Sequence, residues 1–143
     1  MARYGAGLLS AAPTSTRPAI GLYNTAAVVA QLREAAATNT TSTATAIHLA
    51  LLTAAGTQTG QTETKHNDLT GAAVATAVTW SADPTVGATL GYRHQLGAAV
   101  GAGVAFTFGA DGIRAASGTA NGISIALENG TGQAMQVYLV WDE

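Results

Sequence analysis

The sequence predicts a mainly β protein, an antiparallel barrel or sandwich that carries an extended N-terminal arm and one helix. Short runs rich in Val, Ile, Phe and Tyr recur through the second half of the chain, and turn signals built on Gly and Asn separate them. The last run alternates most clearly, with Met135, Val137, Leu139 and Trp141 at every second position. At 143 residues, the chain has the length of one domain.

The arm is predicted over residues 1–22, which contain Pro13 and Pro18 and show no helical or strand period. Such a segment cannot build a core by itself, so we expect it to be held by a neighbouring subunit. Deleting residues 1–20 is then expected to leave the rest of the chain folded and to weaken assembly. The predicted assembly contacts are Arg3, Tyr4, Leu8, Leu9, Arg17, Ile20 and Tyr23.

Residues 23–143 are predicted to form a single β-rich domain that begins with a helix over about residues 25–37. Asn24 and Thr25 are typical N-cap residues, and the stretch that follows is rich in the strong helix formers Ala, Leu, Gln, Arg and Glu. The Thr- and Asn-rich residues 38–43 are expected to end this helix, since their side chains compete for backbone hydrogen bonds.

The remaining chain is predicted to consist of strands and turns. Asp83-Pro84, Asp111-Gly112, Asn121-Gly122 and Asn129-Gly130 are turn signals. The polar residues 56–70 indicate an exposed loop. The predicted strands cover residues 46–53, 73–80, 88–94, 103–108, 112–115, 122–127 and 133–141.

Charge is scarce in this chain, and this predicts self-association. Charged residues are 10% of the sequence and Lys65 is the only lysine, whereas about 25% charged residues is typical. Apolar residues make up 48% but aromatic residues only 6%, a composition unlike that of disordered chains. We therefore expect a homo-oligomer whose subunits cover much of each other's surface.

Composition also argues against several partners. A net charge of −2 and five scattered arginines do not form the basic patch that nucleic acid requires. No stretch reaches the 18 or so continuous apolar residues of a membrane span. The first residues lack the apolar core of a signal peptide, so synthesis in the cytoplasm is expected.

No catalytic, cofactor-binding or metal-binding residue is predicted, and the chain is expected not to be an enzyme. His48, His66 and His94 lack the short spacing of metal ligands, and there is no cysteine. Residues 63–68 form one polar cluster, which is more typical of a solvated loop than of an active site. The glycine-rich residues 97–103 lead into a predicted strand, whereas a phosphate-binding loop leads into a helix.

The C-terminal third carries a resemblance to a known group of proteins. Gly101-Ala102-Gly103-Val104-Ala105-Phe106-Thr107-Phe108 is followed by a turn at Asp111-Gly112, then by Gly122-Ile123-Ser124-Ile125-Ala126-Leu127-Glu128 and the closing Val137-Tyr138-Leu139-Val140. Over about residues 95–141 this order resembles the small capsid decoration (cement) proteins of tailed phages. The resemblance implies a β-rich virion protein, often trimeric, that binds the major capsid protein and stabilises the shell.

Other functions fit the sequence as well. A shorter similarity, over His48 to Thr53 and Ala77 to Trp80, favours a phage tail, fibre or baseplate component. A ligand- or carbohydrate-binding β-barrel would use Trp80, Tyr92 and Trp141 as stacking residues, although burial in a core is the commoner role of such side chains. An enzyme would have to use the polar loop at residues 63–68.

Overall fold

The computed structural model describes residues 1–66 and 71–143, and every regular element in these ranges is a β-strand. In chain order the strands are β1 (Arg3–Leu9), β2 (Ile20–Tyr23), β3 (Gln31–Asn39), β4 (Thr45–Ala54), β5 (Thr57–Gly60), β6 (Thr64–Lys65), β7 (Thr76–Ala82), β8 (Thr85–Leu96), β9 (Gly103–Thr107), β10 (Gly122–Leu127) and β11 (Met135–Asp142).

These strands form two antiparallel sheets. Sheet I has the order β6-β1-β11-β3-β9, and sheet II has the order β5-β7-β2-β10-β4-β8. Within the described residues the two sheets share no strand. The predicted antiparallel β class is confirmed, and the architecture is a sandwich rather than a closed barrel.

The strand order is that of a jelly roll with an insertion. Without β5, β6 and β7, eight strands remain, and they pair first with last, second with seventh, third with sixth and fourth with fifth. This nested pairing folds one long hairpin into two four-stranded sheets. The inserted strands extend both sheets beyond β1 and β2, so the opposite edges of the sandwich are β8 and β9.

The core lies between the sheets, because alternate side chains of each strand point inward. Sheet I contributes Tyr4, Leu32, Leu139 and Trp141, which are at most 4% exposed. The rings of Tyr4 and Trp141 stack with their centroids 5.9 Å apart. The facing side chains of sheet II, none more than 2% exposed, are Ile20, Leu22, Ile47, Leu49, Ile123, Ile125 and Leu127.

The predicted N-terminal arm is wrong. Residues Arg3–Leu9 form β1, which pairs with β11 on one side and with β6 on the other. Residues Ile20–Tyr23 form β2, which lies between β10 and β7. The segment therefore supplies an inner strand to each sheet, and a strand period is present because Tyr4, Ala6 and Leu8 alternate with smaller or exposed residues.

The predicted helix is also wrong, since residues Gln31–Asn39 form β3 between β11 and β9. Ala35 and Ala37 face the core and are fully buried. Helix propensity favours Ala by less than about 1 kcal/mol per residue over most others, and two ladders of hydrogen bonds and burial outweigh it. Thr25 does cap the backbone N–H of Val28 at 3.0 Å, but it caps a turn rather than a helix.

Residues 56–66 of the predicted polar loop are mostly exposed, but they are not only a loop. They contain the short edge strands β5 and β6, and Asn67, Asp68, Leu69 and Thr70 lie outside the described residues. The Glu63 carboxylate accepts a hydrogen bond from the Ala77 N–H at 3.2 Å. The strand predicted at residues 112–115 is reduced to an isolated bridge between Leu32 and Ile113.

A second, smaller cluster covers part of the outer face of sheet II. Trp80 lies over Gly21, where an added Cβ would come within 2.5 Å of the indole ring. The Trp80 Nε1–H donates to the Ala55 carbonyl at 3.0 Å, and the Tyr23 hydroxyl donates to the Ala54 carbonyl at 2.8 Å. Gly21 therefore provides the space in which this ring packs.

Candidate functional site

The outer face of sheet I has an uncharged middle, although charged side chains lie beside it and at one end. One row crosses four strands through Gly7, Tyr138, Ala36 and Ala105, which are directly paired across β1, β11, β3 and β9. Gly7, Tyr138 and Ala105 are exposed, and three of the four residues have a side chain no larger than a methyl group. Outer faces of soluble sandwiches normally carry polar side chains, so this surface is suited to contact with another surface.

Tyr138 is the large side chain at the centre of this face. Its hydroxyl donates a hydrogen bond to the Glu34 carboxylate, which lies on the neighbouring strand β3. That bond, together with partial burial and the negative charge of Glu34, raises the pKa of Tyr138 to about 12. The Tyr138 hydroxyl therefore stays protonated and donates this hydrogen bond, and the Glu34 carboxylate beside the row accepts it.

A cleft of about 360 Å³ adjoins Tyr138. Its floor is β1, and its lining includes Gly5, Gly7, Thr64, His66, Tyr138 and Val140. Gly5 lets the His66 ring approach the strand, since a Cβ at Gly5 would lie 2.7 Å from two ring atoms of His66. The cleft thus presents an imidazole, a phenol and exposed backbone close together.

Charged groups gather at one end of the outer face. The Arg3 guanidinium donates to both oxygens of the Asp142 carboxylate at 2.7 and 2.9 Å, and Arg33 lies 3.4 Å away. The Asp142 side chain is only 7% exposed. Chiefly through the hydrogen bond from Arg3, and despite the opposing effect of burial, the pKa of Asp142 lies below its ordinary value of 3.8.

This pair predicts a pH dependence of stability. Because the folded-state pKa of Asp142 is depressed, its contribution is present above pH 3.8 and is lost as pH falls through the lower folded-state pKa. In urea unfolding, Asp142→Asn is expected to lower stability near neutral pH, and its difference from wild type should shrink in acid. The control is Asp111→Asn, the same chemical change at an exposed residue in a turn. A constant difference across the acid range would contradict this assignment.

The predicted assembly contacts separate into three groups. Tyr4, Ile20 and Tyr23 are at most 4% exposed, so their side chains pack inside this chain. Arg3 and Arg17 are paired with Asp142 and Asp83. Leu8 packs against the core, and Leu9 is 56% exposed at the end of β1. Contact with another subunit stays a prediction, and Leu9 is the apolar member of the set that is placed to make one.

The aromatic residues considered for ligand stacking are mostly inaccessible. Trp141 is fully buried and Trp80 is 7% exposed. Tyr92 is 42% exposed, but its ring packs edge-on against Phe106 and Phe108 with centroids 6.0 and 5.0 Å away. A stacking site could use Tyr92 or Tyr138, which are 42% and 38% exposed, and the sequence reasoning missed Tyr138.

The three histidines lie on different parts of the fold. His48 lies on β4, His94 on β8 and His66 just after β6. Across residues 1–66 and 71–143, no group of three His, Cys, Asp or Glu side chains could hold a metal ion. In the same ranges no helix is long and apolar enough to cross a membrane.

The sequence signals for this site were present but weak. Gly5 and Gly7 alternate with Tyr4, Ala6 and Leu8, which is the period of a strand with glycines on one face.

Comparison with protein-family models, with curated proteins and with solved structures gives no match.

Proposed function

We propose that this chain is a non-catalytic structural protein that acts by self-association, in the form of a phage capsid decoration protein. The observation that carries the proposal is the outer face of sheet I, where the exposed Tyr138 lies in an uncharged row whose members Gly7 and Ala105 are exposed as well. Small apolar side chains are poorly hydrated, and such a face can pack closely against a second surface.

Two further observations support the virion form of this proposal. The strand order is that of a jelly roll, an architecture found in viral capsid and lectin domains. This support is an analogy between folds, since one fold hosts many functions. The C-terminal third also resembles phage decoration proteins, which implies a symmetric oligomer, often a trimer, bound to the major capsid protein in the virion. A tail, fibre or baseplate position would use the same surface.

The first test is the oligomeric state. Light scattering or sedimentation at high micromolar concentration is expected to show a soluble oligomer, because the chain has six basic and eight acidic residues with which to solvate its surface. Gln136→Lys would place a charge on the outer face at an exposed position of β11, and it is expected to weaken self-association. The matched control is Gln95→Lys, at an exposed position of β8. A wild-type monomer would overturn the proposal.

The virion form has a separate test. Co-expression with the major capsid protein of the same genome, followed by sedimentation of the shells, is expected to bring this chain down with the particles. An oligomer that stays in the supernatant would leave self-association standing and remove the decoration role.

A second candidate, a ligand- or carbohydrate-binding module, is favoured by the cleft beside Tyr138. Its volume of about 360 Å³ falls within the roughly 300–1,000 Å³ of small-molecule sites. This candidate predicts a monomer that binds a sugar saturably and loses that binding in Tyr138→Ala. The structural role predicts neither a monomer nor sugar binding.

A further inference from the structure

The four edge strands of the sandwich differ in how well they are protected against pairing. An exposed edge presents unpaired backbone N–H and C=O groups, and proteins block it with short strands, bulges, charges or proline. Strand β6 has two residues, and β5 has four with a register shift against β7. Strand β8 is long, but its pairing with β4 shifts at three points, and it carries Arg93 and His94.

Strand β9, which has five residues, has no register shift, no charge and no proline. It pairs with β3 in an unbroken register from Gly103 to Thr107, and among the described residues no strand pairs with its other edge. Residues 95–110 contain no charged residue and no proline. The alternating pattern of an antiparallel ladder directs the N–H and C=O of every second residue away from β3. The hydrogen bonds of Ala102 with Asn39 and of Phe108 with Arg33 place Ala105 among the outward-directed residues.

We propose that β9 is the assembly edge and pairs antiparallel with β9 of a second copy, centred on Ala105. This inference rests on the proposed self-association and adds an edge contact to the contact through the outer face of sheet I. Pairing about Ala105 sets Val104 of each copy opposite Phe106 of the other, and aromatic with β-branched is a favourable cross-strand pair. Both side chains are half-buried in the single chain, so pairing would cover them further. No like charges meet, because the strand has none.

The pairing joins the two copies of sheet I into one continuous sheet. It is two-fold symmetric, since the same strand acts on both sides. A dimer is therefore the building unit, in place of the trimer that the phage resemblance implies. The outer faces of both subunits then lie side by side on one sheet, and the face-to-face contact of the proposed function would join one such dimer to another.

The absence of cysteine makes a register-specific test available. In Ala105→Cys the two thiols belong to directly opposed residues, whose Cα atoms are about 5.5 Å apart in a hydrogen-bonded pair, within the range of about 4.4–6.8 Å that a disulfide spans. In the control, Thr107→Cys, the two Cα atoms would be about 14 Å apart at about 3.4 Å per residue. Mild oxidation is expected to convert most of Ala105→Cys, and little of Thr107→Cys, to a covalent dimer that reductant reverses.

A second variant tests the hydrogen bonds themselves. Ala105→Pro removes an N–H that faces away from β3, which edge strands tolerate, and it is expected to raise the dissociation constant at least tenfold while the circular dichroism spectrum is kept. A wild-type oligomer in which Ala105→Cys stays uncrosslinked would overturn the β9 contact and leave self-association intact. Equal crosslinking of both cysteine variants would indicate unspecific aggregation and overturn the pairing. A wild-type monomer would overturn both proposals.

Discussion

Deletion of residues 1–20 is expected to abolish the folded state. The deletion removes β1 from between β6 and β11 and takes Ile20 out of β2. Trp141, which is fully buried, would lose its stacking contact with Tyr4, and the β11 backbone would lose its partner from Arg3 to Leu9. The free energy of unfolding of a native protein is only about 5–15 kcal/mol. We expect the free-energy cost of losing an inner strand to exceed this. The truncated chain should show no cooperative unfolding transition and should be largely insoluble.

A control separates the strand from its exposed side chains. Leu9→Ser changes an outward side chain that is 56% exposed, and it should leave unfolding within about 0.5 kcal/mol of wild type. A truncated chain that unfolds cooperatively, with a β-type circular dichroism spectrum, would show that residues 1–20 are an accessory arm after all.

The second large effect is expected for Trp141→Ala. Trp141 is fully buried at the centre of the sandwich, and its Nε1–H donates to the Glu143 carboxylate at 3.0 Å. The same carboxylate accepts from the backbone N–H of Val74 at 2.9 Å, so the indole helps to hold the segment before β7. Truncation of a buried Trp costs about 3–5 kcal/mol, which should appear as a large drop in the urea midpoint.

The matched control for this substitution is on the same strand. Gln136 points outward from β11 and is exposed, so Gln136→Ala should change stability by no more than about 0.5 kcal/mol. If Trp141→Ala cost no more than Gln136→Ala, then the indole would not be part of the core.

The sequence was informative where local pattern and burial agree. Strand β11 was predicted because Met135, Val137 and Leu139 alternate along it, and all three face the core. The turn signal at Asn129-Gly130 was also correct, since Gly130 has a φ of 67°, a conformation that favours glycine. In both cases neighbouring residues alone carry the information.

The candidate site could be predicted only in part. The scarcity of charged residues indicated an exposed surface suited to contact. This indication comes from composition alone and does not depend on how the strands are arranged. The row through Gly7, Tyr138, Ala36 and Ala105 joins positions as far apart as residues 7 and 138, which only strand pairing brings together. The uncharged residues 95–110 were visible in the sequence, but their place at an open edge was not.

The sequence by itself determined the β class, the turns and the shortage of charge, because these depend on residues close together in the chain. Only the tertiary structure decided the states of residues 1–22 and 25–37. The first segment contains prolines and the second is rich in alanine, so local propensity favours an arm and a helix. Their backbones are instead held by β11, β10 and β9 from the far end of the chain. Hydrogen bonds and burial supplied by distant strands outweigh local preferences of a fraction of a kcal/mol per residue.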